Sequence, residues 1–415
     1  MKKLIIILLI FQPLVNRITL KSGGAFDVYN ELISLMIFSL YLFQVLKRGK
    51  ISSISVVFYF LVFYMLILAF LRDIYPLSFF QIAIYSQWFF YFLYFNNLTS
   101  KEKYEFIFDL KKLFDKVLIL IIIISFFELI FYKQFRGFLG IPNLSRGIGG
   151  FYLTSFFGSG ASFAHFISLY IFVWFYYYYG YTNEITKNAK LKIWLAFLVL
   201  ILTFSRKEVL LVFLFFLFFP FQYKTQIIKW VRKVLVFGGI ALGMLIYYFS
   251  FFSHANKVAF SDKYVRWMIA EKSHEILMDN FPWGSGAGTF GSRVSLMMKD
   301  VVYEKYDVGP QMLGYEVLGQ TRGPIYDAFL FTFTAEIGIG ILIYLFFFFK
   351  IFEAKTIERN SYKSYIKNYL VVYFFILSFL QPILMSSFGY LCAIFMGITI
   401  GNISLLKFRI KYAKI

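Results

Sequence analysis

The sequence predicts an all-α protein, a polytopic membrane protein with about 12 transmembrane helices and a large outer loop that contains short helices. Of the 415 residues, 60% are hydrophobic and 15% are charged, with a mean hydropathy of +0.71. Soluble domains are about 45–50% apolar and about 25% charged. Apolar runs near the ~20-residue length that crosses a bilayer recur along the whole chain, and blocks of lysine separate them.

Each predicted span is one apolar run, and residues 1–415 form a single membrane domain. The first run follows Met1-Lys2-Lys3 and resembles a signal peptide, but no small-x-small cleavage site follows it, so we expect an uncleaved helix. The seventh and eighth runs are short and flank the polar stretch 205–208, which we expect to lie below the membrane surface. The spans lie near residues 4–20, 25–46, 53–71, 75–98, 115–133, 161–180, 191–204, 207–222, 234–252, 326–349, 368–385 and 388–406.

The lysine blocks predict the orientation, because cytoplasmic loops carry the excess of lysine and arginine. With the N-terminus inside, every even-numbered connection is rich in lysine, and both termini are cytoplasmic. The basic segments are residues 47–50, 101–116, 187–192, 224–233, 350–367 and the tail from Lys407.

Several classes of site are disfavoured by composition. The net charge of +20 comes from these loop lysines, so we do not expect nucleic acid as a partner. The single cysteine, Cys392, excludes an intramolecular disulfide and a cysteine-based metal cluster. Three histidines, His165, His254 and His274, are too few for a His-rich metal site. We therefore expect neither metal nor cofactor.

Arginine is distributed differently from lysine. The predicted topology places eight of the 12 arginines outside, against the orientation rule. The planar guanidinium group binds phosphate or carboxylate with two hydrogen bonds, which lysine cannot do. The excess therefore indicates an anionic ligand at the outer face, and interfacial anchoring with local ion pairs is the alternative. The eight are Arg17, Arg72, Arg136, Arg146, Arg206, Arg266, Arg293 and Arg322.

Two outer segments are long, 134–160 and 253–325, and loops of such length are often functional. In the second, apolar residues at helical spacing predict a helix between Asp262 and Asn280. Glu271 and Glu275 lie one turn apart on this helix, next to His274. Paired acids of this kind can do general acid–base work on a sugar hydroxyl. A solvated face of an interfacial helix is the alternative.

Individual polar residues also interrupt apolar sequence. Arg206 breaks the run from Leu191 to Phe219, and a charge there is costly unless it is paired or bound. Glu128 and Glu336 are intramembrane acids, for which function is the default hypothesis; Glu336 could pair with an outer arginine. His165, one turn into the sixth span, either touches substrate or is packed and hydrogen-bonded.

The glycine run Gly284–Gly288 is not predicted to be a nucleotide site. Such a site needs a strand before it and a helix after it, and neither is predicted here. A tight turn that brings backbone close to a ligand or to the membrane fits better.

Four segments together resemble the O-antigen ligase/polymerase superfamily. They occur in order from residue 146 to about 341, under half of the chain, and each of them falls at the predicted outer face. They are Arg146-Gly147-Ile148-Gly149-Gly150, then Thr203-Phe204-Ser205-Arg206, then Arg266-Trp267 with Pro282-Trp283-Gly284-Ser285-Gly286-Ala287-Gly288, and finally Tyr326-Asp327 with Glu336-Ile337-Gly338-Ile339-Gly340.

The resemblance implies a Wzy-type polymerase of the bacterial inner (plasma) membrane. Its substrate would be an undecaprenyl-diphosphate-linked oligosaccharide in the surrounding membrane lipid. The growing glycan would pass to the non-reducing end of an incoming repeat unit of O-antigen, capsule or another polysaccharide. Ligases of the superfamily resemble one another in a His-Asn pair where this chain has Tyr326-Asp327, so a polymerase is favoured over a ligase. Binding of a chain-length regulator is left open.

The resemblance also implies roles for single residues. Arg146, Arg206, Arg266 and Arg322 would hold the diphosphate. Asp327, Glu271 or Glu275 would act as the general base, with Asp327 favoured by position. Trp267, Trp283, Tyr326 and His165 would contact sugar. A flippase or transporter is the further alternative, but it should carry charges at the bilayer midplane, and the polar residues here concentrate at one face.

Overall fold

Helices make up almost all of the chain that the structure, a computed structural model, describes. In lipid a single segment satisfies its own backbone hydrogen bonds only as a helix. The described residues are 2–21, 29–141, 152–182, 185–219, 265–292, 294–296, 302–306, 308, 329–356, 361–381, 383–401 and 405–407. The helices are α1 Lys2–Lys21, α2 Tyr29–Arg48, α3 Ser53–Leu71, α4 Leu77–Asn96, α5 Ser100–Ile130, α6 Tyr132–Leu139, α7 Gly160–Tyr181, α8 Lys187–Leu202, α9 Arg206–Phe218, α10 Val265–Asp279, α11 Phe329–Ile337, α12 Ile341–Glu353, α13 Ser361–Leu380 and α14 Ser387–Thr399.

Three helical stretches within the described ranges are both long and apolar enough to cross a membrane. They are Ser53–Leu71, Gly160–Tyr181 and Phe329–Glu353, in which the 3₁₀ turn Gly338–Gly340 joins α11 to α12. The other predicted spans up to residue 222 and from 368 onward each overlap a helix. The predicted span 234–252 lies outside the described residues, so the count of 12 stays a prediction.

Helix α7 lies at the centre of the packing. It contacts α5, α8, α9, α13 and α14, and 83% of its most apolar stretch is buried. On the other side of α14, helix α4 packs against α2, α3 and α14. Aromatic residues fill this core, because their large faces bury much apolar area; Trp88, for example, is fully buried among Phe92, Phe348 and Phe374.

A two-stranded antiparallel ribbon departs from the all-α prediction. Strand β1, Lys50–Ser52, pairs with β2, Leu405–Lys407, with Ile51 opposite Leu406. The last predicted span, 388–406, is therefore too long, since its helix ends at Thr399. Strands of three residues are too short to give a periodic signal in sequence.

Several segments meet beside this ribbon, at what we call the basic end of the molecule. Arg48 Nη2 lies 3.5 Å from Glu102 Oε2, and Lys2 Nζ lies 3.3 Å from Glu102 Oε1. The amide of Gly401 donates to the Lys355 carbonyl at 2.8 Å.

The stretch 101–116, predicted as a basic loop, is instead the first half of α5. Thr99 begins the helix with a capping box, in which its hydroxyl accepts from the Glu102 amide and Glu102 accepts from the Thr99 amide. At 1.5 Å per residue the 31-residue helix is ~46 Å long. A bilayer core is about 30 Å thick, so α5 is long enough to cross it and extend beyond it.

Lys103, in the first turn of α5, should make stability depend on pH. Its amine is buried and donates to the Ile400 carbonyl at 2.6 Å, and burial lowers its pKa to about 7. Between that pKa and the unfolded value of ~10.4 the unfolded chain binds more protons, so the free energy of unfolding rises with pH by up to about 1.4 kcal/mol per pH unit. Unfolding in detergent from pH 6 to 10 should show this rise, and Lys103→Met should remove it.

Lys101→Met is the matched control, because Lys101 is exposed on the same helix turn. It should keep the pH dependence of the wild type. If the free energy of unfolding rises equally with pH in wild type and in Lys103→Met, Lys103 is charged in the folded protein at neutral pH.

Candidate functional site

A helix break forms the centre of the candidate site, at the end of the molecule opposite the basic end. Helix α8 stops at Leu202, and Phe204 adopts a left-handed backbone with φ of 51°. The Thr203 hydroxyl donates to the Leu200 carbonyl and accepts from the Ser205 amide. Arg206 then begins α9. The polar stretch predicted to lie below the surface is therefore a turn between two short helices.

Glu208, in the first turn of α9, is fully buried against His165 of α7. The distance between His165 Nε2 and Glu208 Oε1 is 2.6 Å. This contact requires a proton on one of the two atoms, because two lone pairs would otherwise face each other. The Ser205 hydroxyl donates to Glu208 Oε2. The carboxylate also lies near the positive end of the α9 dipole, which favours its negative charge.

Gln381 and Lys207 complete this cluster of four side chains. Lys207 Nζ donates to Gln381 Oε1 at 2.8 Å and lies 3.6 Å from Glu208 Oε1. The Gln381 amide nitrogen lies 2.8 Å from His165 Nε2. Residues from α7, α9 and the end of α13 are thus joined by polar contacts inside an aromatic core.

A cavity of about 200 Å³ adjoins this cluster. Its polar lining is His165, Gln381, Ser162, Ser386 and Ser387. The His165 ring is stacked on Phe388, with centroids 4.7 Å apart and planes 22° from parallel, and Phe388 also lines the cavity. Arg206 is exposed, one residue before Lys207. Chemically, the cavity has a histidine in contact with a carboxylate, and Lys207 bonds the lining residue Gln381.

A second buried acid, Glu128, anchors the segment before α7. Its carboxylate accepts from the amides of Thr154 and Ser155 at 2.7–3.1 Å and from the Thr154 hydroxyl. Arg136 Nε lies 3.7 Å from Glu128 Oε1, and Arg136 Nη2 donates to the Tyr152 carbonyl. Both charged groups are fully buried, so this arginine belongs to an internal ion pair.

The third buried acid, Glu336, binds the glycine run. Its Oε1 accepts from the amides of Gly288 and Phe290 at 3.0 and 2.9 Å, and its Oε2 accepts from the Tyr85 hydroxyl at 2.7 Å. The hypothesis that Glu336 pairs with an outer arginine is wrong for the described residues, because backbone amides surround the carboxylate. The run is a tight turn on α11, as the sequence predicted.

Two glycines permit this close packing of turn and helix. Gly284 has φ of +83°, and a Cβ there would lie 2.5 Å from the Glu336 carbonyl. Gly338 has φ of +51°, and a Cβ there would lie 2.6 Å from the Gly284 nitrogen. The glycines of the third and fourth motifs therefore face each other in one structural unit.

Tyr64 of α3 and Arg72, the residue that follows α3, bind the same turn from the outside. Arg72 donates through Nε and Nη2 to the Gly284 carbonyl at 3.1 and 2.9 Å. The Tyr64 hydroxyl lies 3.0 Å from the Trp283 carbonyl, and the exposed Trp283 ring lies 6.3 Å from that of Tyr64. Arg72 and Arg136 therefore make local structural contacts, which was the alternative interpretation of the outer arginines.

The remaining predicted site residues are spread over the chain. Glu271 and Glu275 are exposed on α10, where Glu275 pairs with Lys272 at 2.8 Å, and no contact among the described residues brings them to the cavity. Arg266 and Trp267 lie in α10, but their side chains fall outside the described set. Outside the described residues altogether are Arg146, Arg293, Arg322, Tyr326 and Asp327.

Glu208 and Gln381 are candidate-site residues that the sequence reasoning missed as partners of His165. Glu208 was visible as part of the polar stretch after Thr203, and Gln381 as a polar residue within the predicted span 368–385. Neither position indicates its partner, because the contact joins three different helices. Within the described ranges, no three His, Cys, Asp or Glu side chains are grouped to hold a metal.

Comparison of the chain with protein-family models, with curated proteins and with solved structures finds no match.

Proposed function

We propose that this chain is a polysaccharide polymerase of the bacterial inner membrane. It transfers a growing glycan from undecaprenyl diphosphate to the non-reducing end of an incoming lipid-linked repeat unit. The chain crosses the membrane about 12 times, both termini are cytoplasmic, and the reaction takes place at the outer face. The alternatives are a ligase that passes the finished glycan to another acceptor, and a flippase.

One observation carries this proposal: a cavity with a His–Glu pair and basic neighbours lies at the end of the molecule opposite the lysine-rich segments. His165 and Gln381 line the cavity, Glu208 contacts His165, and Lys207 bonds Gln381. The positive-inside rule favours a cytoplasmic position for the lysine-rich end, and we propose that the cavity end is the outer one. Lipid-linked repeat units are polymerised at that face.

The chemistry of the transfer suits these residues. The acceptor hydroxyl oxygen attacks the anomeric carbon of the donor glycan, and the bond from that carbon to the diphosphate oxygen breaks. Negative charge develops on the diphosphate, so preorganised cations lower the barrier. Arg206 and Lys207, at the first two positions of α9, are suited to this role. Arg146, Arg266 and Arg322 are proposed to share it.

The position of the polar groups argues against transport. A transporter needs charged or unwound segments near the bilayer midplane, where the substrate is held during alternating access. In the described helices, Glu128 and Glu336 accept hydrogen bonds from neighbouring backbone amides, and Glu208 lies 2.6 Å from His165. This arrangement supports a fixed site at one face.

Arg206→Ala should abolish polymer formation. Loss of one preorganised donor to a developing anion costs about 10²- to 10³-fold in rate, which is enough to remove long chains. The gene is deleted in its native strain and restored as wild type or variant at matched membrane levels, and the surface polysaccharide is separated on a gel. Wild type should restore the ladder of chain lengths, and Arg206→Ala should leave a single repeat unit.

Lys133→Ala is the matched control, because Lys133 is an exposed cation on α6 and has no contact with the cluster among the described residues. It should restore a full ladder. Deletion that leaves full-length polymer on the carrier lipid would identify a ligase. If deletion leaves the ladder unchanged, the polymerase and ligase hypotheses are both refuted and transport is favoured.

A further inference from the structure

We infer that residues 281–290 form a re-entrant turn, a non-helical segment that lies inside the bilayer with the rings of Phe281 and Trp283 against lipid acyl chains. This inference rests on the membrane location in the proposed function and not on the proposed reaction. It assigns Trp283 to lipid in place of the sugar contact that the resemblance implies.

Helix α3 gives the depth of this turn. Its 19 residues make it ~28 Å long, close to the ~30 Å of a bilayer core, so a membrane that α3 crosses encloses nearly the whole helix. The Tyr64 hydroxyl lies 3.0 Å from the Trp283 carbonyl oxygen. Tyr64 comes seven residues before Leu71, which is ~10 Å along the axis, and eleven residues after Ser53. The backbone at Trp283 is therefore inside the hydrocarbon layer.

The break in the helical stretch Phe329–Glu353 gives a similar depth independently. The 3₁₀ turn Gly338–Gly340 begins nine residues after Phe329, ~13 Å along the axis, and ends thirteen residues before Glu353. This stretch is also long and apolar enough to cross a membrane. The break therefore lies between the two membrane surfaces, where the helix cannot satisfy all of its own backbone groups.

The re-entrant turn and the helix break satisfy each other's backbone groups. The Ser285 amide donates to the Ala335 carbonyl at 3.0 Å, and the Ile339 amide donates to the Pro282 carbonyl at 2.8 Å. The Glu336 carboxylate accepts from two further amides of the turn. Non-helical backbone at membrane depth is tolerated only where protein satisfies its polar groups. These bonds meet that condition and hold the turn beside the break.

The exposed rings of the turn continue the exposed apolar face of α3. Phe281 is 65% exposed, and Trp283 is 46% exposed beside the Tyr64 ring. Four large side chains of α3 are exposed at a spacing of three or four residues, which places them on one helix face. They are Phe60, Phe63, Ile67 and Phe70. A soluble protein rarely exposes such a continuous apolar surface, whereas a spanning helix presents it to lipid.

Acyl chains suit this surface better than sugar does. A sugar ring would have to give up the hydrogen bonds of its hydroxyls with water to reach a depth of ~10 Å, and burial of unpaired hydroxyls is costly. The exposed side chains around Trp283 on α3 are apolar and offer no replacement bonds. Acyl chains surround a spanning helix at this depth and require none.

The accessibility of a spin label tests the depth. The single cysteine, Cys392, is buried, so Cys392→Ala provides a background for one nitroxide label at a chosen position. The full chain with Trp283→Cys is reconstituted in phosphatidylcholine vesicles. Collisions of the label with oxygen, which partitions into lipid, are compared with collisions with a water-soluble nickel chelate. The label should favour oxygen, and its depth should match that of a label at Phe63→Cys to within one helical turn, about 5.4 Å.

Phe63→Cys and Lys101→Cys are the matched references. Phe63 is exposed on the apolar face of α3, and Lys101 is exposed at the basic end. Phe281→Cys gives a second position on the turn, because its ring is also exposed. If Trp283→Cys is not recovered in vesicles, the label at position 281 decides the question by the same comparison.

The outcomes separate the inference from the proposed function. A label at Phe63→Cys that favours oxygen, with one at Trp283→Cys as accessible to the chelate as Lys101→Cys, overturns the re-entrant turn and leaves the membrane location standing. A label at position 283 that meets neither reagent also overturns it, because protein and not lipid then covers the surface. A label at Phe63→Cys as accessible to the chelate as Lys101→Cys overturns the membrane location and the inference together.

Discussion

Glu336→Ala is expected to be one of the two most destabilising single truncations at this end of the molecule. It leaves three buried donors without an acceptor, the amides of Gly288 and Phe290 and the hydroxyl of Tyr85. Each such orphan costs about 1–3 kcal/mol, so the free energy of unfolding should fall by about 3 kcal/mol or more. The turn 284–290 should detach from α11. Thermal loss of monodisperse protein in detergent measures the effect.

Glu336→Gln and Glu353→Ala are the matched controls. The glutamine oxygen can accept from both amides, and its NH₂ group can donate to the Tyr85 hydroxyl, so this variant should stay close to wild type. Glu353 is exposed at the basic end of α12 and pairs only with Lys350 among the described residues, at 3.4 Å, so its loss should cost almost nothing. A Glu336→Ala variant as stable as Glu353→Ala would show that the carboxylate does not hold the turn.

Glu128→Ala is expected to have the second large effect. It removes the acceptor of the Thr154 and Ser155 amides and leaves the buried Arg136 guanidinium without its carboxylate. Breaking a buried pair by removing one partner costs about 3–5 kcal/mol. The midpoint of thermal unfolding in detergent should fall.

A double-mutant cycle separates the ion pair from the backbone anchor. Arg136→Met alone leaves Glu128 with its amide donors, so it should cost less than Glu128→Ala. The double variant should be more stable than the sum of the two single losses predicts, by about 0.5–3 kcal/mol for residues in contact. Strict additivity would mean that Glu128 acts only through the amides of residues 154 and 155 and not through Arg136.

The comparison of prediction with structure is informative at particular residues. The helix expected between Asp262 and Asn280 is present as Val265–Asp279, because the apolar spacing of Ile269 and Ile276 is a property of that segment alone. The role of the outer arginines was not predictable in the same way. Arg72 and Arg136 make structural contacts, and the sequence around them does not indicate which groups they bind.

The site shows where sequence reasoning stopped. The glycine run and Glu336 were each recognised, but as separate motifs, and only the folded chain shows that one binds the other. His165 was recognised as a single residue that could be either packed or functional. Its contacts with Glu208 and Gln381 depend on how α7, α9 and the end of α13 pack.

The sequence by itself determined the helical character of this protein, the position of most helices and the separation of lysine-rich from lysine-poor connections. These follow from hydropathy and charge, which are summed within one segment and do not depend on its neighbours. Only the tertiary structure decided which acid meets which partner, where the cavity lies and which arginines are structural. A hydrogen bond requires two groups within about 3 Å, and that proximity is set by the packing of helices that are distant in the chain.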